Sequence, residues 1–294
     1  LEFRRVLFRS KNMAQVIDIH PHVISPDTDR YPLDPIGGMQ SNWSVKHPLT
    51  HDQLVADMDK AGVIKAAIVQ ASTVYGHDNT YVAEAVAAHP ERFTGVFSAD
   101  ILADDAISTI EHWRGRGLTA IRLFTAGTTI EGQANWLNDT KSYQAWDYCA
   151  ETNLPVCVQM RPLGIPLLTD VIEKFPKLQI IVDHFARSTF DDGPPYRDAD
   201  SLWTLSKFKG VHLKLTHRAL EAATKGKSDN KAFFDHLLNF FPADRIAWGS
   251  NYPAVGRPLG DVLADARRAV SHLPESDQRY LFSDTAKTLF PSLN

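Results

Sequence analysis

The chain reads as an α/β protein folded into one (βα)8 barrel. Three observations predict this. Eight short runs rich in Val, Ile, Leu and Phe alternate with longer amphipathic stretches. Several of the runs are almost continuously apolar, as parallel strands buried on both faces must be. No Gly-x-Gly-x-x-Gly turn follows any of them, which argues against the alternative, an open dinucleotide-binding sheet.

The elements follow in order. The first strand is expected at 16–20 and runs into His20-Pro21-His22. Thr50-His51-Asp52-Gln53 has the form of a capping box opening a helix to Ala61, and Gly62 stops it. Further strands are expected at 66–70, 93–99, 119–124, 155–160, 179–184, 211–215 and 245–249. Helices are expected at 78–88, 106–116, 142–152, 166–175, 200–207, 230–240 and 259–271, with one or two more in 275–290. The long irregular stretches 23–48, 125–139 and 188–197 each follow a strand, where a barrel builds its catalytic face. The first carries Tyr31, Trp43 and His47 and is placed to cap a pocket.

At 294 residues the chain is long for one domain but ordinary for such a barrel. A net charge of −4 gives no electrostatic reason to expect nucleic acid or a membrane surface as partner. No apolar stretch approaches the roughly 18 residues of a membrane span. Two cysteines, Cys149 and Cys157, make no disulfide framework and fit a reducing, cytoplasmic setting. Residues 1–12 hold four basic side chains and read as a non-native or disordered leader, more an expression scar or misassigned start than a targeting peptide. Residues 13–294 form the barrel domain.

Chemistry concentrates at the expected strand ends. Residues i and i+2 of a strand share a face, so His20 and His22 can converge. Other strand ends offer Gln70 followed by Tyr75, then Arg122, Gln159, Asp183-His184 with Arg187 beyond, Lys214 with His217 and Arg218 beyond, and Trp248-Gly249-Ser250-Asn251-Tyr252-Pro253. Polar groups at the ends of apolar strands are costly unless they face a shared pocket. Asp18 reads as a support for these groups. The remaining histidines, His51 and His89 among them, read as surface or packing residues.

The Asp18-x-His20-x-His22 strand, the Val182-Asp183-His184 strand and the Trp248–Pro253 segment resemble the amidohydrolase superfamily. Within it they are most similar to the branch containing 2-pyrone-4,6-dicarboxylate lactonase, other sugar and muconate lactonases, and certain decarboxylases. Met58-Asp59-Lys60-Ala61-Gly62-Val63 and His89-Pro90-Glu91-Arg92-Phe93 match the same branch, and the likeness spans roughly residues 17–290. It implies a TIM-barrel hydrolase that opens a lactone or related ester of a small carboxylated or hydroxylated acid, with water attacking a carbonyl held at the barrel mouth. His20, His22, His184 and Asn251 are the implied catalytic set. Arg122, Arg187 and Arg218 are the implied carboxylate-binding arginines, with Gln70, Gln159 and Tyr75 as further substrate contacts.

Two departures bear on mechanism. Strand five ends in Gln159 where many metal-dependent members have a histidine or lysine, and Asn251 stands where the family has an aspartate. An amide cannot act as a base at neutral pH. The proton of the attacking water then falls to His184 or His22. A protonated His20 or neutral His184 would polarise the carbonyl, with Arg122 beside the oxyanion. These departures favour a reaction that requires no metal. The alternative is one divalent ion, zinc or manganese, on His20, His22 and His184. A metal-dependent decarboxylase of an aromatic or muconate-type acid and a non-catalytic barrel with a degenerate site are the rival functions. Oligomeric state stays open, a homo-oligomer included.

Overall fold

The computed structural model describes residues 15–294; the expected leader lies outside the described residues. One eight-stranded parallel sheet runs in chain order. Its strands are β1 (Val16–Asp18), β2 (Val63–Val69), β3 (Phe93–Ser98), β4 (Leu118–Phe124), β5 (Val156–Gln159), β6 (Ile180–Asp183), β7 (Val211–Leu215) and β8 (Ile246–Trp248). The sheet closes where the Ile19 N–H donates to the Trp248 carbonyl at 3.2 Å. Asp18 reinforces this seam, because one carboxylate oxygen accepts from the backbone N–H groups of His20 (2.9 Å) and Ser250 (2.8 Å).

Two apolar layers follow from strand alternation. An inner cluster fills the barrel with Ile17, Ala67, Val69, Val96, Ala120, Cys157, Ile181 and Ala247, and the C-terminal residues Ala286, Leu289, Phe290 and Leu293 pack against it. Residues of opposite parity, such as Ala66, Ile68, Ile121, Leu123, Ile180 and Leu213, belong to the larger cluster beneath the helices. The alternation sorts the polar strand ends. Arg122, Gln159 and Asp183 continue the inward rows of Ala120, Cys157 and Ile181, whereas Gln70 continues the outward row of Ala66 and Ile68.

The capping box at Thr50 forms as expected, and Gly62 ends that helix (His51–Ala61) with a left-handed φ of 76°. β2 begins at Val63, earlier than expected, because Val16 pairs with Val63. Two family-like segments turn out to be architectural. Arg92 donates to Asp59 Oδ1 at 2.9 Å and to the Ile64 carbonyl at 2.7 Å, binding a helix end to the start of β2. The 23–48 stretch is pinned at its root by the Ile24–Leu49 bridge and carries a one-turn helix, Asn42–Lys46. No helix among the described residues is long and apolar enough to cross a membrane.

Candidate active site

A cavity at the C-terminal ends of the strands is lined by His22, Arg122, Gln159, His184, Arg187, Arg218 and Asn251. Seven of the residues expected at the site are thus brought together. Trp43, Ser72, Thr73, Phe124 and Thr128 complete the wall. Trp43 reaches over from the 23–48 stretch, its ring 5.2 Å from that of His22, so this stretch does cap the pocket.

Three expected residues lie elsewhere. Gln70 donates its amide to the carbonyls of Gly76 (3.2 Å) and Asp78 (2.7 Å), so it ties down the loop after β2 instead of meeting a substrate. The Tyr75 hydroxyl accepts from the Ser25 backbone at 2.9 Å, and its ring packs against Tyr81. His20 lies beneath the cavity floor, fully buried, with its ring 4.9 Å from those of both His22 and His184.

Under the floor sits a charge cluster whose centre, Asp183, is fully buried. One of its oxygens lies 2.7 Å from the Lys214 ammonium, and the other accepts from Arg122 Nε at 3.0 Å. Burial alone would raise the pKa of this carboxyl. Lys214 and Arg122 outweigh burial and hold it well below the ordinary carboxylate range. Arg122 also donates to Gln159, whose amide is held in turn by the Ala126 carbonyl at 2.7 Å. Lys214 was visible in the sequence as a strand-seven residue but carried no assigned role there.

The histidines are neutral. Burial, then the nearby cations, pushes His20 and His184 well below the ordinary imidazole range and His22 down to about 3. The expected protonated His20 is therefore corrected: burial, then Lys214, disfavours an imidazolium there, although an Asp183 oxygen lies 3.8 Å from its Nδ1. His22 Nδ1 lies 2.7 Å from the Val69 carbonyl, which can only accept, so Nδ1 carries the proton and Nε2 is the free acceptor. His184 Nδ1 meets the Thr216 hydroxyl at 2.8 Å.

The turn after β6 places two of the cavity groups. His184, Phe185, Ala186 and Arg187 all have left-handed φ of 53–55°, a conformation costing roughly 1–2 kcal/mol for each non-glycine residue. Phe185 and Ala186, both fully buried, anchor it, and it brings His184 and Arg187 to the same wall. Asn251 is also left-handed, at 58°, which asparagine tolerates better than most residues.

Arg187, half-buried, and Arg218, exposed, both line the cavity. Among the described residues neither has a carboxylate partner, and Arg187 Nε is buried without a hydrogen-bond acceptor. Burial, then Arg218, lowers the Arg187 pKa to about 10. Cationic groups crowded into one cavity form a receptor for an anion.

His20, Asp183 and His184 each place one ligand atom within 4.8 Å of the others. Both ring nitrogens of His20 are buried without a hydrogen-bond partner, which suits an imidazole meant for a ligand. These residues fit one divalent ion. The set differs from the expected one, since Asp183 takes the place of His22. Lys214 competes for the same Asp183 oxygen.

A family model for amidohydrolases matches residues 17–292. The chain belongs to the amidohydrolase family. It is 24% identical over 245 residues to a 4-sulfomuconolactone hydrolase of Rhizobium radiobacter, covering 81% of this chain and 76% of that protein. A probable 2-pyrone-4,6-dicarboxylic acid hydrolase of Acinetobacter baumannii, solved with citric acid bound, superposes with a TM-score of 0.75 at 16% identity, over 94% of this chain and 99% of that one. An amidohydrolase of Burkholderia multivorans with bound zinc superposes at 0.74 with 17% identity, over 95% and 99% of the two chains.

Proposed function

We propose that this amidohydrolase opens a small lactone or related ester that carries a carboxylate. The observation that supports this most is the pair Arg187 and Arg218, which face the cavity without carboxylate partners. Two lactone-type hydrolases among the similar proteins agree with it, one of them holding a tricarboxylate.

The substrate anion binds Arg187 and Arg218, and bidentate pairing fixes the ring's orientation. Arg122 is held rigid by Asp183 and Gln159 and stands ready for the oxygen of the attacked carbonyl, a donor oriented before charge develops. His22 Nε2 accepts the proton of the attacking water and returns it to the ring oxygen as the ring opens. A base held at about 3 is weak in the empty site. Burial is the larger cause of that depression and the field of Arg122 the second, and an anionic substrate offsets part of the latter, which strengthens His22 as a base when substrate is present. Asn251 orients the water through its amide and takes no proton. A divalent ion held by His20, His184 and Asp183 would supply Lewis-acid polarisation and a more acidic water.

The test is a panel of carboxylated lactones, their uncharged counterparts and aromatic carboxylic acids, run with chelated and zinc-supplemented enzyme. Ring opening of the carboxylated lactones, with a preference of at least about tenfold over the uncharged ones, is the expected result. Release of carbon dioxide from the aromatic acids with no lactone opened would overturn it.

A further inference from the structure

A second cluster of metal-ligating side chains lies outside the barrel mouth, where the sequence suggested only surface or packing histidines. His51 and Asp52 occupy the first turn of the helix His51–Ala61, and His89 follows the helix Thr80–Ala88. His51 Nδ1, His89 Nε2 and Asp52 Oδ1 form a triangle with edges of 3.1, 2.8 and 3.2 Å. The two histidine side chains are about one-fifth to one-quarter exposed and the aspartate is open to water.

We propose that these three residues form a surface site for a borderline divalent transition-metal ion of the zinc class. The triangle has the required size. Zinc bonds to nitrogen and oxygen are about 2.0–2.1 Å long. A point about 2.05 Å from all three atoms lies about 1.1 Å off the plane of a triangle with these edges. That is a facial three-ligand arrangement whose remaining position falls to water on the exposed side. Two imidazoles with one carboxylate also match the ligand preference of this ion class over calcium or magnesium.

The ion would join the starts of two segments, the helix His51–Ala61 and the turn after the helix Thr80–Ala88. His51 immediately follows the pinned root of the stretch carrying Trp43 over the cavity. His89 precedes β3. Filling the site would therefore staple the base of the cavity cover to the barrel wall.

The experiment is zinc titration of chelator-stripped protein, read by calorimetric stoichiometry and by the zinc-induced rise in melting temperature. Wild type is compared with His51→Ala, His89→Ala, the milder His51→Gln, and a His20→Asn/His184→Asn variant. The expected result is that each His51 or His89 variant loses one zinc equivalent and its share of the thermal shift. The barrel-mouth variant keeps that equivalent. Unchanged stoichiometry in the His51 and His89 variants, or loss of all binding in the His20/His184 variant, overturns the proposal. Because the readout is binding and not turnover, failure of this site is distinct from failure of the lactone reading.

Discussion

Replacing Lys214 by methionine tests whether the buried charge cluster under the cavity is organised by Asp183. Lys214 and Asp183 are both fully buried, 2.7 Å apart, and Arg122 remains 3.0 Å from the other carboxylate oxygen. Removing one partner of a buried ion pair costs about 3–5 kcal/mol, because the other charge is left desolvated. Arg122 still compensates Asp183 in part, so the lower end, about 3 kcal/mol, is expected. At roughly 2 °C per kcal/mol for a domain of this size, the melting temperature should fall by about 6 °C. Urea unfolding of wild type, Lys214→Met, Asp183→Asn and the double variant supplies the coupling free energy, and the double variant should be more stable than the sum of the single losses implies. The sign of the pH effect is also fixed. In the wild type the Asp183 pKa is held below its unfolded value, so its contribution is complete above that unfolded value and is lost only as pH falls through the lower native one. Without Lys214, burial dominates, the carboxyl protonates at higher pH, and the gap between variant and wild type narrows as pH is lowered from 7. A loss under 1 kcal/mol, strict additivity, or a gap that widens toward acid would refute the assignment.

Four other substitutions probe the cavity. Arg187→Gln and Arg218→Gln should each raise KM for a carboxylated lactone at least about tenfold with a smaller effect on kcat, since ground-state binding of the anion is what they remove; equal losses on uncharged lactones would contradict the anion role. Gly249→Ala would place a methyl 2.6 Å from His20 Cβ and 3.2 Å from its backbone nitrogen. It should cost about 1–3 kcal/mol and depress kcat, and a fully active, fully stable variant would show that His20 has more room than the structure gives it. Asn251→Asp introduces a base without disturbing a left-handed backbone that both residues accept. Steady-state kinetics should show a higher kcat together with a higher KM, because the new carboxylate competes with the substrate for the arginines.

The strands were legible because buried parallel strands leave little choice of residue, and only their ends moved. Short helices were not legible. Ser72–Tyr75 and Asn42–Lys46 are single turns stabilised by their surroundings. His217–Ala222 begins among residues read as pocket loop, and His217 itself is buried away from the active cavity, its pKa lowered to about 4 by burial and then by Arg218. The misplacement of Gln70 has a plain cause. A strand's end shows that a residue is near the mouth, but parity decides whether it points in. Gln70 shares its row with Ile68, whereas Arg122 shares its row with Ala120. Parity counted along each strand would have excluded Gln70 and favoured Asp183 and Lys214. The left-handed run 184–187 gave no such signal, since it contains no glycine to mark it.

Asn251 acquires its meaning from the charges around it. Asp183 is committed to Lys214 and Arg122. Asp18 is engaged with the backbone of the closing seam, its pKa raised to about 6 by burial. The histidines are neutral, and Arg187 and Arg218 remain without a carboxylate. An aspartate at 251, which the family resemblance leads one to expect, would have supplied part of the missing negative charge from within the protein. With asparagine there, the substrate must bring it. With no carboxylate at 251 the cavity's demand for an anion is the stronger, and the arriving anion offsets the part of the His22 depression that comes from Arg122, burial being the larger cause. Anion binding and the strength of the base are then coupled through the Arg122 field. It follows that an uncharged lactone should suffer in kcat as well as in KM, whereas a carboxylated one should lose its advantage once Arg187 and Arg218 are both neutralised.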